Sequence, residues 1–267
     1  MAGKGKKLVK RFGYQVLGIV VFLVLVEILA IVLGPYKLPR VEVLAVDFVT
    51  YLTHIDLLAI QGGGDAGFLP HLAYTVGRTI LGAAIGLPLG VVLGLLMSKN
   101  AKIRAFSKHI VGALRVVPPL AITPFFIMWF GPTAFAQTLM VVFYCTSMMI
   151  ITTTTAVANI DEVYVNYGYT LGATKNRVYT TIILPMIVPE LIGGLRVALG
   201  ASWGIQVVTE LMGSPLGMGQ VFSMMIPMQS LDVIICGILW IALVAVLVDF
   251  VIIRITKHFT SWTLTGR

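Results

Sequence analysis

Six stretches of this chain, at about residues 13–34, 70–97, 112–131, 134–157, 186–211 and 231–254, are apolar over the length that a helix needs to cross a bilayer. Hydrocarbon offers no hydrogen bonds, so a spanning segment must satisfy its own backbone, as a helix does. These runs therefore predict an all-α integral membrane protein with about six transmembrane helices. Composition agrees: 58% of the 267 residues are hydrophobic and 11% are charged, against roughly 25% charged in soluble domains. The spans leave no room for a sizeable soluble domain. The expected order is a basic cytoplasmic segment (1–12), a first span and outer loop (13–69), a core (70–255) and a cytoplasmic tail (256–267). The first apolar run exceeds a signal-peptide core and lacks a small-residue cleavage site, so it reads as an uncleaved span.

The formal charge of +8 sits at the ends of apolar runs. Lys4, Lys6, Lys7, Lys10, Arg11, Lys99, Lys102, Arg104, Lys108, Lys175, Arg177, Arg254, Lys257 and Arg267 fall on alternate segments, and the intervening outer segments hold Lys37 and Arg40. By the positive-inside rule both termini are cytoplasmic, in a cell inner membrane. Membrane lipid is thus the expected partner of the surface, and no basic patch interleaved with aromatics suggests nucleic acid. Cys145 and Cys236 lie inside apolar runs, where they read as core packing. His54, His71, His109 and His258 are scattered, no His-Glu-x-x-His or paired-cysteine spacing occurs, and neither a metal site nor a catalytic set is expected.

Gly82, Gly86, Gly90 and Gly94 recur every four residues, giving the second span a face bare of side chains for close approach of another helix. Pro88, Pro118, Pro119 and Pro124 predict bends, either static or mobile. After Pro39, Val41, Leu44, Phe48 and Tyr51 predict a short amphipathic helix that either lies on the outer membrane surface or packs as an ordinary loop.

Between the fourth and fifth spans lies a segment, 161–185, that cannot span. Asp161 and Glu162 favour a helix start, Val163, Tyr167 and Leu171 share one side, and Gly172 suits the left-handed residue that ends a helix. Thr174 is placed to cap a second short helix with Val178, Ile182 and Ile183 toward the membrane and Lys175 and Arg177 toward water. Pro185 and Pro189 mark entry to the fifth span.

That segment resembles the cytoplasmic signature of ABC importer permeases: Glu-Ala-Ala, three residues, Gly, nine residues, Ile-x-Leu-Pro. Gly172, Ile182, Leu184 and Pro185 stand at the matching positions, with Ala173 after the glycine; Asn166, Tyr167 and Gly168 replace Glu-Ala-Ala. "TVGRTILGAAIGLPLGVVLGLLMS" (75–98), "LRVVPPLAITPFFIMWFG" (114–131) and 171–213 are similar to the nitrate, sulfonate, taurine and bicarbonate group of these permeases. The resemblance implies a type I importer fold with a cytoplasmic coupling helix, and a permease subunit rather than an enzyme. It implies two permease copies, here a homodimer, two ATPase subunits that bind ATP and Mg, and an extracytoplasmic solute-binding protein. This chain itself lacks the Gly-x-x-x-x-Gly-Lys-Ser/Thr phosphate loop, and no bound cofactor is expected. Gly172, Ala173, Thr174, Lys175, Asn176 and Arg177 would contact the ATPase, Lys175 and Arg177 being alternatively solvated topology charges. Val178, Ile182, Leu184 and Pro185 would anchor the coupling helix.

In the fifth span Arg196, Gly200, Trp203, Gln206 and Glu210 form one helical stripe, with the two charges about 21 Å apart. Ionisable groups at membrane depth face the interior or a water-filled path. Arg196 is either a structural cation paired elsewhere or a group that meets an anionic solute. Trp203, Gln206, Glu210, Arg196, Thr146 and Ser147 are the translocation-pathway candidates, with helix-to-helix hydrogen bonding as the alternative for the hydroxyls. Glu27 and Arg78 are expected to find interior partners. The function expected is import of a small anionic solute; a thiamine-precursor-like solute, or a stand-alone secondary transporter, are the alternatives.

Overall fold

The computed structural model describes the backbone of residues 2–35 and 37–259, and among these leaves out the side chains of 2–12, 101, 108, 115 and 257–259. The expected basic segment 1–12, Lys108, and the tail cations Lys257 and Arg267 therefore lie outside the described side chains. All regular structure among the described residues is helical. Five helices are long and apolar enough to cross a membrane: Gly13–Leu33 within α1 (Ala2–Leu33), α4 (Leu69–Lys99), α7 (Ala134–Ala158), the run Lys175–Leu211, and Leu231–Thr256 within α12 (Leu231–Phe259).

The predicted third span, 112–131, is corrected. It is divided between α5 (Ala101–Val116) and α6 (Pro119–Phe130), separated by the extended residues Val117 and Pro118. A residue that precedes proline is pushed out of the helical region, and here two in succession are so placed. At 1.5 Å per residue the 12 residues of α6 reach about 18 Å, short of the roughly 30 Å hydrocarbon core.

The chain forms two compact units. One contains residues 1–70 and 221–240. Within it, the Glu27 carboxylate accepts from Arg40 Nε and Val41 N, both at 2.9 Å. It thereby caps α2 (Val41–Thr50), so its partners lie just beyond α1 rather than in another span. α2 is packed, not free: Phe48 stacks on Trp240 at 4.4 Å and its carbonyl accepts from Trp240 Nε1 at 2.7 Å. Tyr51 Oη donates to Asp232 at 2.5 Å. Burial, that hydrogen bond and the Asp232 charge hold the Tyr51 phenol well above its ordinary pKa, so it remains a donor.

The other unit contains residues 71–220 and 241–267. Its spine is α4 against α7. A Cβ placed on Gly82 would stand 2.6 Å from Val141 Cβ, on Gly86 2.7 Å from the Val142 carbonyl, and on Gly94 2.6 Å from Thr153 Cβ. The numbering rises together on both helices, so they run parallel, and the chain between them must return across the membrane. Ala83, Val141, Cys145 and Leu199 form a buried cluster flanked by Leu87, Tyr144, Val248 and Ile252, which joins α4 and α7 to α10 (Leu184–Leu211) and α12. Cys145 and Cys236 are both buried free thiols.

Candidate functional site

The segment 161–185 begins with α8 (Glu162–Thr170), whose first turn is closed by the Asp161 side chain accepting from Val163 N at 2.9 Å. It ends in a Schellman arrangement: Gly172 N donates to the Tyr169 carbonyl at 2.9 Å and Ala173 N to the Gly168 carbonyl at 3.1 Å. That closure requires a left-handed residue, and Gly172 has φ +77°. The Thr174 hydroxyl then accepts from Arg177 N, starting α9 (Lys175–Val178). Gly172, Thr174, Lys175, Asn176 and Arg177 are exposed and Ala173 half-buried, so the six predicted contact residues form one accessible corner.

One expectation changes here. The second short helix is not separate from the fifth span, because α9 passes through a π-helical turn, Tyr179–Ile183, directly into α10. Pro185 and Pro189 cannot donate to the preceding turn, and the wider π turn before Pro185 absorbs that loss without ending the helix. The corner and α10 thus belong to one continuous helical run. Val163, Tyr167 and Leu171 share one side of α8, and that side faces outward, at 67%, 64% and 70% exposure. The buried position of α8 is Gly168, where a Cβ would come within 2.7 Å of Ile182 Cδ1 and 3.1 Å of Val178 Cγ2.

Of the predicted anchors, Val178 is buried and Ile182 and Leu184 are half-buried. Pro185 is exposed and acts through conformation rather than packing. An anchor that sequence reasoning missed is Tyr179, whose hydroxyl donates to the Leu95 carbonyl at 3.0 Å while Lys99 Nζ lies 5.5 Å from its ring centroid. This ties the π turn to the C-terminal end of α4. Tyr164, Tyr167, Leu171, Arg177 and Thr181 border a groove of about 560 Å³ beside the corner.

The polar stripe of α10 divides in two. Gln206 and Glu210 have no exposure. Glu210 accepts from Thr75 Oγ1 at 2.9 Å, Gln206 Nε2 at 2.8 Å and Gly219 N at 3.0 Å, while Thr75 Oγ1 accepts from Met218 N at 2.9 Å. The carboxylate caps the start of α11 (Met218–Met228) and is consumed by an internal network. Trp203 is buried at 5% exposure.

Arg196 instead forms a two-pronged ion pair with Asp249 of α12, Nε to Oδ1 at 2.9 Å and Nη2 to Oδ2 at 2.8 Å. Its side chain is 44% exposed and that of Asp249 38%. The pair borders a cavity of about 430 Å³ with Gly193, Gly200, Trp203 and Ala245. Nothing lies within 4 Å of where a Cβ would stand on Gly193, Gly200 or Gly204, so this side of α10 is open. Asp249 was not recognised from the sequence, although an unpartnered arginine in one span calls for an acid in another. Thr146 donates across helices to the Gly86 carbonyl at 3.2 Å, and Ser147 to the Phe143 carbonyl at 2.8 Å. The Arg78 guanidinium lies 5.3 Å from the Tyr74 ring centroid on its own helix, not against an interior acid.

Residues 86–264 match the family described as "Binding-protein-dependent transport system inner membrane component". The taurine transport system permease protein of Escherichia coli (strain K12) is 28% identical over 202 residues, covering 76% of this chain and 74% of that protein. The formylaminopyrimidine transport permease protein of Halalkalibacterium halodurans is 27% identical over 198 residues, covering 74% of each chain. Among solved structures, a chain of the methionine ABC transporter in an inward-facing conformation superposes with TM-score 0.55 at 21% identity, covering 72% of this chain and 93% of that one.

Proposed function

The chain belongs to the binding-protein-dependent transport system inner membrane components, and as an ABC importer permease, we propose, it takes its drive from a separate ATPase at the Gly172–Arg177 corner. The observation that carries this reading is the corner's construction. It is exposed above, braced beneath by Val178 and Ile182 on Gly168, tied to α4 through Tyr179, and continuous with α10. Two ATPase subunits holding ATP and Mg would each dock at such a corner in a homodimer of this chain, whose termini face the cytoplasm. The outward Tyr167 and Leu171 offer apolar contact, and Lys175 and Arg177 offer orientation. A solute-binding protein would deliver the solute from the other side.

The experiment is co-assembly of the full chain with its ATPase subunit, followed by ATP-driven uptake in proteoliposomes, with Gly172→Val as the variant. No atom crowds a Cβ at Gly172, but valine at this left-handed geometry is strained by about 1–2 kcal/mol. The turn should re-form elsewhere, and ATPase retention and uptake should be lost while the spans still fold. Retained uptake would refute the reading.

For the solute, the open face of α10 supports passage beside Arg196, Gly200 and Trp203. Ionisable groups in a span avoid lipid, and this pair is partly exposed. The taurine relative favours a solute with an anionic head group, for which Arg196 would exchange Asp249; the formylaminopyrimidine relative keeps a thiamine-precursor-like one as the second reading. Asp249→Asn leaves Arg196 without its acid and should lower uptake about tenfold, equivalent to about 1.4 kcal/mol. Exchanging the charges, with Arg196→Asp and Asp249→Arg together, should restore assembly. If the pair is only structural, the exchange restores uptake as well; if Arg196 meets the solute, uptake stays low.

A further inference from the structure

The helix α5 takes part in neither the corner nor the polar face of α10. Its start is held by the Asn100 side chain, which accepts from Lys102 N at 2.9 Å and Ile103 N at 3.4 Å directly after α4 ends. Ile103, Phe106 and Ile110 follow steps of three and four and so share one side. They are 40%, 79% and 53% exposed, an apolar stripe that the described residues do not cover. Lys102 and His109 flank that stripe, Arg104 lies on the opposite side, and all three are exposed. α5 begins where α4 ends, so its first turns lie at the bilayer interface, where a bare apolar side meets acyl chains.

Arg104 stands at a cleft of about 390 Å³ whose walls are mainly apolar, Met97 of α4, Val111 and Gly112 of α5, and Val157 and Ala158 of α7, with the hydroxyl residues Ser98 and Thr154 beside them. None of its lining residues is acidic. Nothing lies within 4 Å of where a Cβ would stand on Gly112. Among the described residues, the Arg104 guanidinium makes one hydrogen bond, at 3.4 Å to the Ser98 carbonyl, leaving most of its five donors for another acceptor. A small inorganic anion would satisfy Arg104 but leave the apolar walls bare. An amphiphile with a phosphate head matches both parts.

We propose that this cleft is a binding site for an anionic phospholipid, with the phosphate on Arg104 and the glycerol esters and first methylenes against the apolar walls. α4 is long enough to span and ends at Lys99, so Arg104, shortly after it, stands at headgroup depth. Cationic clefts between helix ends recognise such lipids through the same combination of charge and apolar contact.

The test is native mass spectrometry of the full chain with phosphatidylglycerol or phosphatidylcholine of identical acyl chains, using wild type, Arg104→Gln, Gly112→Leu and Lys102→Gln. Wild type should retain phosphatidylglycerol about fivefold over phosphatidylcholine, the scale of one cation near an anionic membrane surface. Arg104→Gln should remove the preference, and Gly112→Leu should remove it by filling the cleft with the charge intact. Because both positions are exposed, thermal midpoints should be unchanged. Lys102→Gln should keep the preference. Equal retention of the two lipids overturns the proposal, as does a preference that survives both cleft variants. Competition by glycerol 3-phosphate at the lipid's own concentration would assign the cleft to a soluble anion. One-for-one displacement of lipid by the ATPase subunit would assign it to that protein, and either result also overturns the proposal.

Discussion

Gly90→Leu should abolish recovery of folded chain from the membrane, while Gly77→Leu on the same helix should be recovered like wild type. At Gly90 a Cβ would lie 2.5 Å from the Thr146 carbonyl oxygen and 2.6 Å from Met149 Cβ. The first of these is backbone within α7, so no rotamer change makes room, and the two helices would have to separate. Separation would also break the close approaches at Gly82, Gly86 and Gly94, because the four glycines lie along one ridge. Van der Waals contact between close backbones is a leading source of helix association in lipid. The expected loss exceeds the roughly 1–3 kcal/mol of ordinary overpacking. At Gly77 nothing lies within 4 Å of a Cβ, so leucine there meets only open space. Monodispersity after detergent extraction reads the difference, and equal recovery of the two variants would show that the α4–α7 seam is not tight.

Glu210→Ala should lower the thermal midpoint of the purified chain and expose the amides at the start of α11 to hydrogen exchange. Its carboxylate is the acceptor for three donors at a site without exposure. Removing it leaves those donors unsatisfied, at about 1–3 kcal/mol each. Glu210→Gln should fall between alanine and wild type, since its amide oxygen can serve some donors while its NH2 faces another. Gly219 N, bonded to the carboxylate, should lose protection first. A midpoint and exchange pattern equal to wild type would mean that the network does not hold α11.

Much of the coupling segment was legible from local chemistry. Asp161, Gly172 and Thr174 announced a helix start, a left-handed stop and a new cap, and the structure has each where expected. Short-range backbone geometry decides such features, so neighbouring residues suffice. The glycine ridge was legible for the same reason: a spacing of four on a helix makes a bare face whatever meets it. Pro118 and Pro119 mark the break, but apolar length alone runs across it and merges two helices into one span. Gly168 looked like a departure from Glu-Ala-Ala; the structure shows that what the position supplies is smallness beneath Val178 and Ile182.

By itself, then, the sequence determined the membrane-spanning class, the helical content, the parallel-ready ridge of α4 and the position of the corner, because apolar length, residue spacing and turn chemistry act along the chain. Only the tertiary structure decided which polar groups of α10 are spent inside and which stay open. Gln206 and Glu210 share a stripe with Arg196, yet Thr75 and the start of α11 enclose the former while Asp249 meets the latter at a cavity. Thr75 stands 135 positions from Glu210 and Asp249 stands 53 from Arg196, and such contacts depend on how helices pack, which helical periodicity within one span does not encode.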